Sequence, residues 1–439
     1  MKKVAILGFA REGRAAYEYW NRDGNQLTIC DQDKDTEVPE GATAQLGRDY
    51  LHNLGKFDVI VRTSGLHPNK IQAANPEHPR IMDKVTTSVN EFMRAVPTRN
   101  IIGVTGTKGK GTTCTLILKI LEAAGHRVHL GGNIGIAPLD LLKGDIRPND
   151  WVVLELSSYQ LIDIKQSPRI AVCLMVAEEH LSWHGSMDEY LTSKQELFKH
   201  QAEDNLAIYC STSTYALGIA KASPGLLIPY MISPGAEVVD DRTIMIDGQT
   251  ICDVSEIKLL GRHNWQNVCA AITTAWNITQ DIAAIHRAVT GLAGLPNRLE
   301  LVREVDGVHY YNDSFASAPD ATVAGLEAIE GTKVLIIGGF DKGLNLNELG
   351  RGVLKHQHEL RRVIIIGETR VKMERTLRAH GFRNFDTLKD VGMKEIVAHA
   401  RKVARSGDKV VLSPGFASFD MFKDFEERGR QFKHFVNAL

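Results

Sequence analysis

Alternating strand and helix patterns, with glycine-rich loops at the strand ends, predict an α/β chain of three domains. Three observations carry that prediction. First, an apolar run at residues 2–9 turns through Gly8-Phe9-Ala10-Arg11-Glu12-Gly13 into an amphipathic helix at residues 14–20. A second strand, Gln26-Leu27-Thr28-Ile29-Cys30, follows and ends at Asp31. An acid about 20 residues beyond the first glycine is the layout of a Rossmann-like unit. Second, Ile101-Ile102-Gly103-Val104 feeds a loop, Gly106-Thr107-Lys108-Gly109-Lys110, and a helical pattern opens at Thr113. Third, residues 308–415 hold four apolar runs, each ending in Gly, Ser, Asp or Lys. That is how the carboxyl edge of a second Rossmann-like sheet reads.

Boundaries are expected near Val96-Pro97-Thr98 and at Gly294-Leu295-Pro296-Asn297-Arg298. They divide the chain into residues 1–96, 97–296 and 297–439. The expected architecture is a Rossmann-like N-terminal domain, a central P-loop domain with a mostly parallel sheet, and a Rossmann-like C-terminal α/β domain. The length of 439 residues agrees, since it is too long for one ordinary core.

Composition narrows the function classes. Hydrophobic content of 43% and charged content of 24% belong to a soluble globular protein. A net charge of −1 leaves no bulk basic field, so no nucleic-acid partner is expected. No stretch reaches the ~20 apolar residues of a membrane span, so no membrane insertion is expected. The N-terminal apolar run is short and is broken by Gly8, which reads as a strand and not as a secretory leader. Six cysteines lie scattered with no C-x-x-C spacing, and buried reduced thiols in a cytoplasmic protein are expected.

The loop at 106–112 carries the clearest chemistry. Glycines let backbone N–H groups face phosphate oxygens, and the following helix adds its positive end. Lys110 would place a full charge near the β/γ-phosphates of a nucleoside triphosphate. The strict pattern is not met. Val104 stands in place of the first glycine, and Gly111 stands in place of the hydroxyl residue after the lysine. The alternative is a glycine-rich turn that binds nothing.

The other segments follow in order. The first loop lacks the middle glycine of its fingerprint, where Ala10 stands, and a Rossmann-like unit without a ligand remains open. A third strand, residues 57–62, runs into Thr63-Ser64-Gly65-Leu66-His67-Pro68. The strand at 151–156 buries Glu155 among apolar neighbours, and a buried carboxylate needs a cation. Mg²⁺ or a basic side chain would serve. The strand at 169–176 leads to Glu178-Glu179-His180-Leu181-Ser182-Trp183-His184, then to a helix with Tyr190 and Lys194. Residues 231–260 alternate around Asp247-Gly248 as a hairpin would. Asn264 and Asn267 open a helix expected from Val268; they would cap it or hydrogen-bond a base. The tail, residues 422–435, carries phenylalanines at helical spacing, which read as core.

Taken together, the motifs resemble the Mur ligase family, the ATP-dependent amide-forming enzymes of peptidoglycan synthesis. The motifs are GTKGKGTT, GGNIG, ELSSYQL, EEHLSWHG, GRHNWQN, LPNRLE, NDSFAS, GGFDKG and LSPGFASFDMFKDFEERG, and they span nearly the whole chain. Within the family they are most similar to the branch that adds D-glutamate to UDP-N-acetylmuramoyl-L-alanine. The resemblance implies those two partners, with ATP and Mg²⁺ as cofactors and a monomeric state. It implies that Gly106, Thr107, Lys108, Gly109, Lys110, Gly111 and Thr112 hold ATP, with Asn264, Asn267, Arg298 and Asp313. It assigns chemistry to Lys110, Glu155, His180 and Lys194. Thr112, Glu155, His180 and a carbamylated Lys194 would serve the metal. Gly8, Ala10, Gly13, Asp31, Ser64, Gly65 and Asn133 would hold the sugar nucleotide. Ser317, Lys342, Ser418, Phe419 and Phe425 would hold D-glutamate, and closure of the last domain is an expected step.

Five residues depart from the family pattern. Gly111 replaces Ser or Thr, Glu179 replaces Asp, Ser182 replaces Asp, Asn297 replaces His and Phe315 replaces Lys. A ligase for another amino acid and a catalytically silent nucleotide-binding protein are the alternatives. An NAD-dependent dehydrogenase would explain only the first loop.

Overall fold

The computed structural model describes residues 1–439. The first sheet uses β1 (Lys3–Leu7), β2 (Gln26–Asp31), β3 (Thr43–Leu46), β4 (Val59–Arg62) and β5 (Val85–Thr87). Their order is β3-β2-β1-β4-β5, all parallel. The chain leaves β1 in one direction and returns to β4 on its other side. The crevice between the loops after β1 and β4 is therefore the switch point where such sheets bind ligands. The helix after β1 spans Arg11–Trp20, three residues earlier than expected, which puts Arg11 and Glu12 on its first turn.

A second parallel sheet is built from β6 (Ile101–Thr105), β7 (Val128–Gly132), β8 (Trp151–Glu155), β9 (Ile170–Cys173), β10 (Leu206–Cys210) and β11 (Leu226–Tyr230). The order is β11-β10-β9-β6-β8-β7. β6 and β8 are buried at every residue, as strands covered on both faces must be. Strands β12 (Glu237–Val239), β13 (Thr243–Ile246) and β14 (Gln249–Asp253) form a small antiparallel sheet, its tight turn at Asp247-Gly248. All six cysteines are buried and unpaired, and burial raises the Cys30, Cys173 and Cys252 thiols to about 12.

The third main sheet comprises β15 (Glu300–Val305), β16 (Val308–Asn312), β17 (Lys333–Gly338), β18 (Leu360–Ile366), β19 (Phe385–Thr387) and β20 (Lys409–Leu412). Its order is β15-β16-β20-β17-β18-β19, parallel except for β15. The period of two along β17 divides two cores. Leu335 and Ile337 pack with Leu349 and Val353, whereas Val334 and Ile336 pack with Ile396 and Phe432. The tail helix, Phe425–Asn437, contributes Phe432 and Val436 to that second core.

The chain packs as two compact units. One holds residues 1–256 and 265–290 with the first two main sheets; the other holds 257–264 and 291–439 with the third. Within the first unit a buried arginine ties the two sheets together. Arg62, the last residue of β4, donates Nε to Asp163 Oδ2 at 2.8 Å and Nη2 to Asp163 Oδ1 at 2.6 Å. Its remaining donors go to the carbonyls of Leu66 at 2.8 Å, Thr63 at 3.1 Å and Tyr159 at 3.0 Å. Its side chain is fully buried while Asp163 is 17% exposed. Removing one partner of such a pair strands the other. Arg62→Met is expected to cost about 3 kcal/mol in urea unfolding, and a loss below about 1 kcal/mol would show that the pair does not hold the sheets.

Candidate active site

The loop after β6 is shaped by two glycines that no other residue replaces easily. Gly106 has φ of +147°, and a Cβ there would lie 2.7 Å from Leu174 Cβ. Gly109 has φ of +85° and starts the helix Lys110–Ala123. A Cβ on Gly109 would fall on Asn267 Oδ1, so the Asn267 carboxamide lies directly against the loop. No side chain caps this helix, whose first amides have no intrahelical partners. An oxyanion suits that arrangement.

Two lysines meet at this loop. Lys110 Nζ donates to the carbonyls of Thr107 at 2.8 Å and Gly106 at 3.1 Å. Lys194, from the helix Met187–Lys199, donates Nζ to the same Gly106 carbonyl at 3.0 Å and to Thr105 Oγ1 at 3.5 Å. Lys194 is only 1% exposed, with its ammonium 4.4 Å from the Tyr190 ring centre. Burial, and then the neighbouring Lys110, bring its pKa down to about 7, so a neutral amine is within reach near neutral pH. Thr107 Oγ1 lies 3.0 Å from Tyr190 OH and accepts from Ala177 N at 2.9 Å. Gly111 offers no hydroxyl. Thr112 and Thr113 follow it on the helix at about 100° and 200° around the axis. Both are buried, and Thr113 Oγ1 has no partner.

Glu155 ends β8 and is 2% exposed. Its Oε1 accepts from Asn133 Nδ2 at 2.8 Å, and Asn133 N donates to the Glu155 carbonyl at 2.8 Å. Its Oε2 is buried without a hydrogen-bond partner. An orphan carboxylate oxygen at a strand end fits a hard cation such as Mg²⁺. His180 adopts a left-handed backbone, φ of +61°, and its ring lies 5.0 Å from that of Tyr159. Burial pulls its pKa down, favouring the neutral, ligating imidazole. Among His, Cys, Asp and Glu, no three side chains gather into one metal-binding group, so Glu155 and His180 are not held as a ready-made ligand set. His184 bonds through Nε2 to Ser158 Oγ at 2.9 Å, and burial drives its pKa to about 4.

At the first sheet, Gly8 has φ of +91°, and a Cβ on Gly13 would collide with the Gly8 carbonyl. Ala10 precedes the helix without a side-chain cap. Asp31 accepts from Phe9 N at 2.7 Å and Asp33 N at 3.0 Å, so it braces the loop. Ser64 N donates to Glu12 Oε2 at 2.8 Å, and the Gly65 carbonyl accepts from Trp183 Nε1 at 3.1 Å. Arg11 donates to the Asn133 carbonyl at 2.9 Å and to that of Gly135 at 3.1 Å.

The helix His263–Trp276 begins five residues before the expected Val268, which draws both asparagines inside it; Asn267 belongs to the first unit, and Asn264 to the second with Arg298 and Asp313. Asn264 Nδ2 bonds the Leu260 carbonyl at 2.7 Å. Asp313 is buried, accepts from Ser413 Oγ at 2.6 Å and from Leu299 N at 3.2 Å, and is pushed up to about 7 by burial. Arg298 stacks 3.9 Å above the Phe315 ring, and Phe425 meets Phe315 edge-on at 5.1 Å. Lys342 Nζ lies 5.5 Å from the exposed Phe419 ring. Ser418 is buried and Ser317 exposed. The loops after β17 and β20 join at the Phe340–Ala417 bridge, at this sheet's own switch point. Buried Arg428 ties the loop after β20 to the loop after β16, donating to Phe416 O at 3.1 Å and to Ser314 O at 2.8 Å.

Sequence reasoning missed Glu12, Arg62, Gln160 and Arg428. For Glu12 a signal existed, since a carboxylate inside a phosphate-type loop is out of keeping with anion binding. Nothing in the sequence marked Arg62, whereas Gln160 and Arg428 lie within the ELSSYQL and LSPGFASFDMFKDFEERG motifs without being singled out. A cavity of about 800 Å³ is lined by residues such as Arg94, Arg99 and Arg169 and includes none of the site residues.

This arrangement of a phosphate loop, buried lysine and orphan carboxylate defines a nucleotide-using enzyme. Comparison with known proteins narrows the class. The Mur ligase middle domain matches residues 104–275, and the Mur ligase glutamate ligase domain matches residues 297–416. The UDP-N-acetylmuramoylalanine–D-glutamate ligase of Acetivibrio thermocellus is 36% identical, over 100% of this chain and 97% of that one. That of Clostridium kluyveri is 34% identical with the same coverage. The chain belongs to the Mur ligase family. Its fold is also shared by UDP-N-acetylmuramate-alanine ligase of Thermotoga maritima, with a TM-score of 0.61, 14% identity and full coverage of both chains. MurF ligase of Thermotoga maritima, solved in complex with ADP, gives a TM-score of 0.59 at 15% identity, covering 99% of this chain and 94% of that one.

Gly109→Ala forces a left-handed alanine onto Asn267, a strain of about 1–3 kcal/mol. ADP affinity measured by calorimetry is expected to fall about tenfold or more, and unchanged affinity would remove the loop from nucleotide binding.

Proposed function

We infer that this chain joins D-glutamate to UDP-N-acetylmuramoyl-L-alanine, with ATP converted to ADP and phosphate. The full-length similarity to D-glutamate ligases carries this reading, and the geometry at the phosphate loop supports it. A carboxylate is a poor acyl donor. The alanyl carboxylate attacks the γ-phosphorus, the bond to ADP breaks, and an acyl phosphate forms. The amine of D-glutamate then attacks the acyl carbon, loses a proton, and the tetrahedral intermediate expels phosphate.

Lys110 and the loop amides hold the phosphates and oppose the charge that develops on the transferring group. Glu155 and His180, with Thr112 and a carbamylated Lys194, are the residues that would hold Mg²⁺. The ion supplies charge neutralisation on the phosphates. Asn264, Asn267, Arg298 and Asp313 serve the nucleotide. The first sheet's loops serve the sugar nucleotide. Lys342 suits an amino acid with a side-chain carboxylate, which its ammonium would pair. No helix is long and apolar enough to cross a membrane, and we place the reaction in the cytoplasm.

ADP release measured across an amino-acid panel is expected only with UDP-N-acetylmuramoyl-L-alanine and D-glutamate together. Equal turnover with L-lysine or meso-diaminopimelate would reassign the substrate, and none with any amino acid would indicate a silent protein. Carbamylation gives a second check. The neutral Lys194 amine adds to CO₂ with loss of a proton, and its neutral fraction grows as pH rises through about 7. A ¹³C resonance from ¹³CO₂ should therefore grow between about pH 6 and 8 at fixed dissolved CO₂, and be missing from Lys194→Ala. No such resonance in the parent chain would end the carbamate assignment.

A further inference from the structure

The crevice between β1 and β4 is the switch point of the first sheet, where sheets of this kind bind ligands, and a side chain of the protein already spans it. Glu12 sits on the first turn of the helix Arg11–Trp20, where the positive helix end favours a negative charge. Its carboxylate does not bond back to its own helix. Oε2 accepts from Ser64 N, in the loop after β4, at 2.8 Å. Oε1 accepts from Gln160 Nε2, in the helical turn after β8, at 2.7 Å. Gln160 is buried at 3% exposure, and its own carbonyl oxygen is held by Ser157 N at 3.1 Å and Ser157 Oγ at 3.2 Å. The acceptor end of Gln160 is thereby fixed and its amide is aimed at Glu12. Three loops from two sheets converge on one carboxylate.

This arrangement conflicts with a crevice that simply awaits a diphosphate. A single N–H cannot serve two strong acceptors, and Ser64 N is engaged by Glu12. A fixed carboxylate beside a diphosphate also repels it. We propose that Glu12 is an internal stand-in for the diphosphate of the sugar nucleotide: it occupies the Ser64 and Gln160 donors, and the substrate binds by displacing it. The proposal rests on the reading that the first sheet holds a nucleoside-diphosphate sugar. Displacement releases two donors, the Ser64 amide and the Gln160 carboxamide, and both pass to phosphate oxygens. Glu12 therefore sets the affinity for this substrate and is a specificity-determining residue, with no part in the acyl transfer.

The test uses UDP as the probe and the full chain. In Glu12→Gln the charge is gone and the shape is kept, so calorimetry should show the Kd for UDP falling about fivefold or more, as expected for removing one like charge from a partly exposed site. KM for UDP-N-acetylmuramoyl-L-alanine should fall with it. An equal or weaker affinity in a variant that unfolds at the parent temperature would overturn the proposal and leave Glu12 a tether between sheets. A crystal structure of the unmodified chain with UDP checks it without any variant. A phosphate oxygen should stand on Ser64 N with the Glu12 carboxylate withdrawn; Glu12 still bonded to both Ser64 and Gln160 would overturn displacement while leaving the sugar-nucleotide reading intact. Failure of both proteins to bind UDP would overturn that reading and the proposal together.

Discussion

Two ammonium groups share one carbonyl oxygen, and much of the first unit exists to make that possible. Lys110 and Lys194 both donate to Gly106 O. Like charges so close oppose each other, and burial adds to the cost for Lys194. The pair is stable because the surroundings are over-determined. β6 is buried throughout, Gly106 accepts a backbone angle that L-residues avoid, and Tyr190 and Thr107 clamp the loop from the helix that carries Lys194. The strain has a chemical consequence. Burial, with the neighbouring Lys110, brings the Lys194 pKa down to about 7, so a neutral amine is within reach near neutral pH.

The first two sheets behave as one body for electrostatic reasons. Arg62 and Asp163 are matched across them, and each additional guanidinium donor finds a carbonyl. Arg11 and Glu12 reach out from one helical turn in the same way, one to the loop after β7 and the other to the loops after β4 and β8. The loop that begins the chain's first helix thereby fixes Asn133, and Asn133 in turn fixes Glu155. The loop after β1 and the buried Glu155 carboxylate are thus linked through hydrogen bonds of 2.9 Å or less.

Much of the architecture was legible because parallel strands buried on both faces must be apolar throughout. Residues 101–105, 151–155 and 333–338 could be little else. Glycine positions were legible for a similar reason, since a left-handed turn against packed neighbours excludes a Cβ. Element starts were less legible. The helices at Arg11 and His263 begin earlier than their apolar periodicity suggests, because their first turns carry polar residues that bond outward. Candidate site residues were named where a motif surrounds them. Arg62 stands outside any motif, and Gln160 and Arg428 lie within motifs that give no sign that folding will bury their side chains.

The sequence by itself determined the element types, the three strand-and-loop edges and the position of the glycine loop at residues 106–112, since local periodicity and glycine chemistry are written in consecutive residues. Tertiary structure alone decided which groups are charged and which donors are engaged. Lys194 is singled out in sequence only by the motif it follows, and only burial in the fold brings its pKa to about 7. Glu155 reads as a carboxylate wanting a cation until Asn133 takes one of its oxygens and leaves the other bare. Glu12 reads as a first-turn helix acid until two distant loops close on it. Desolvation and hydrogen-bond pairing depend on residues far apart in the chain, and only the fold brings those together.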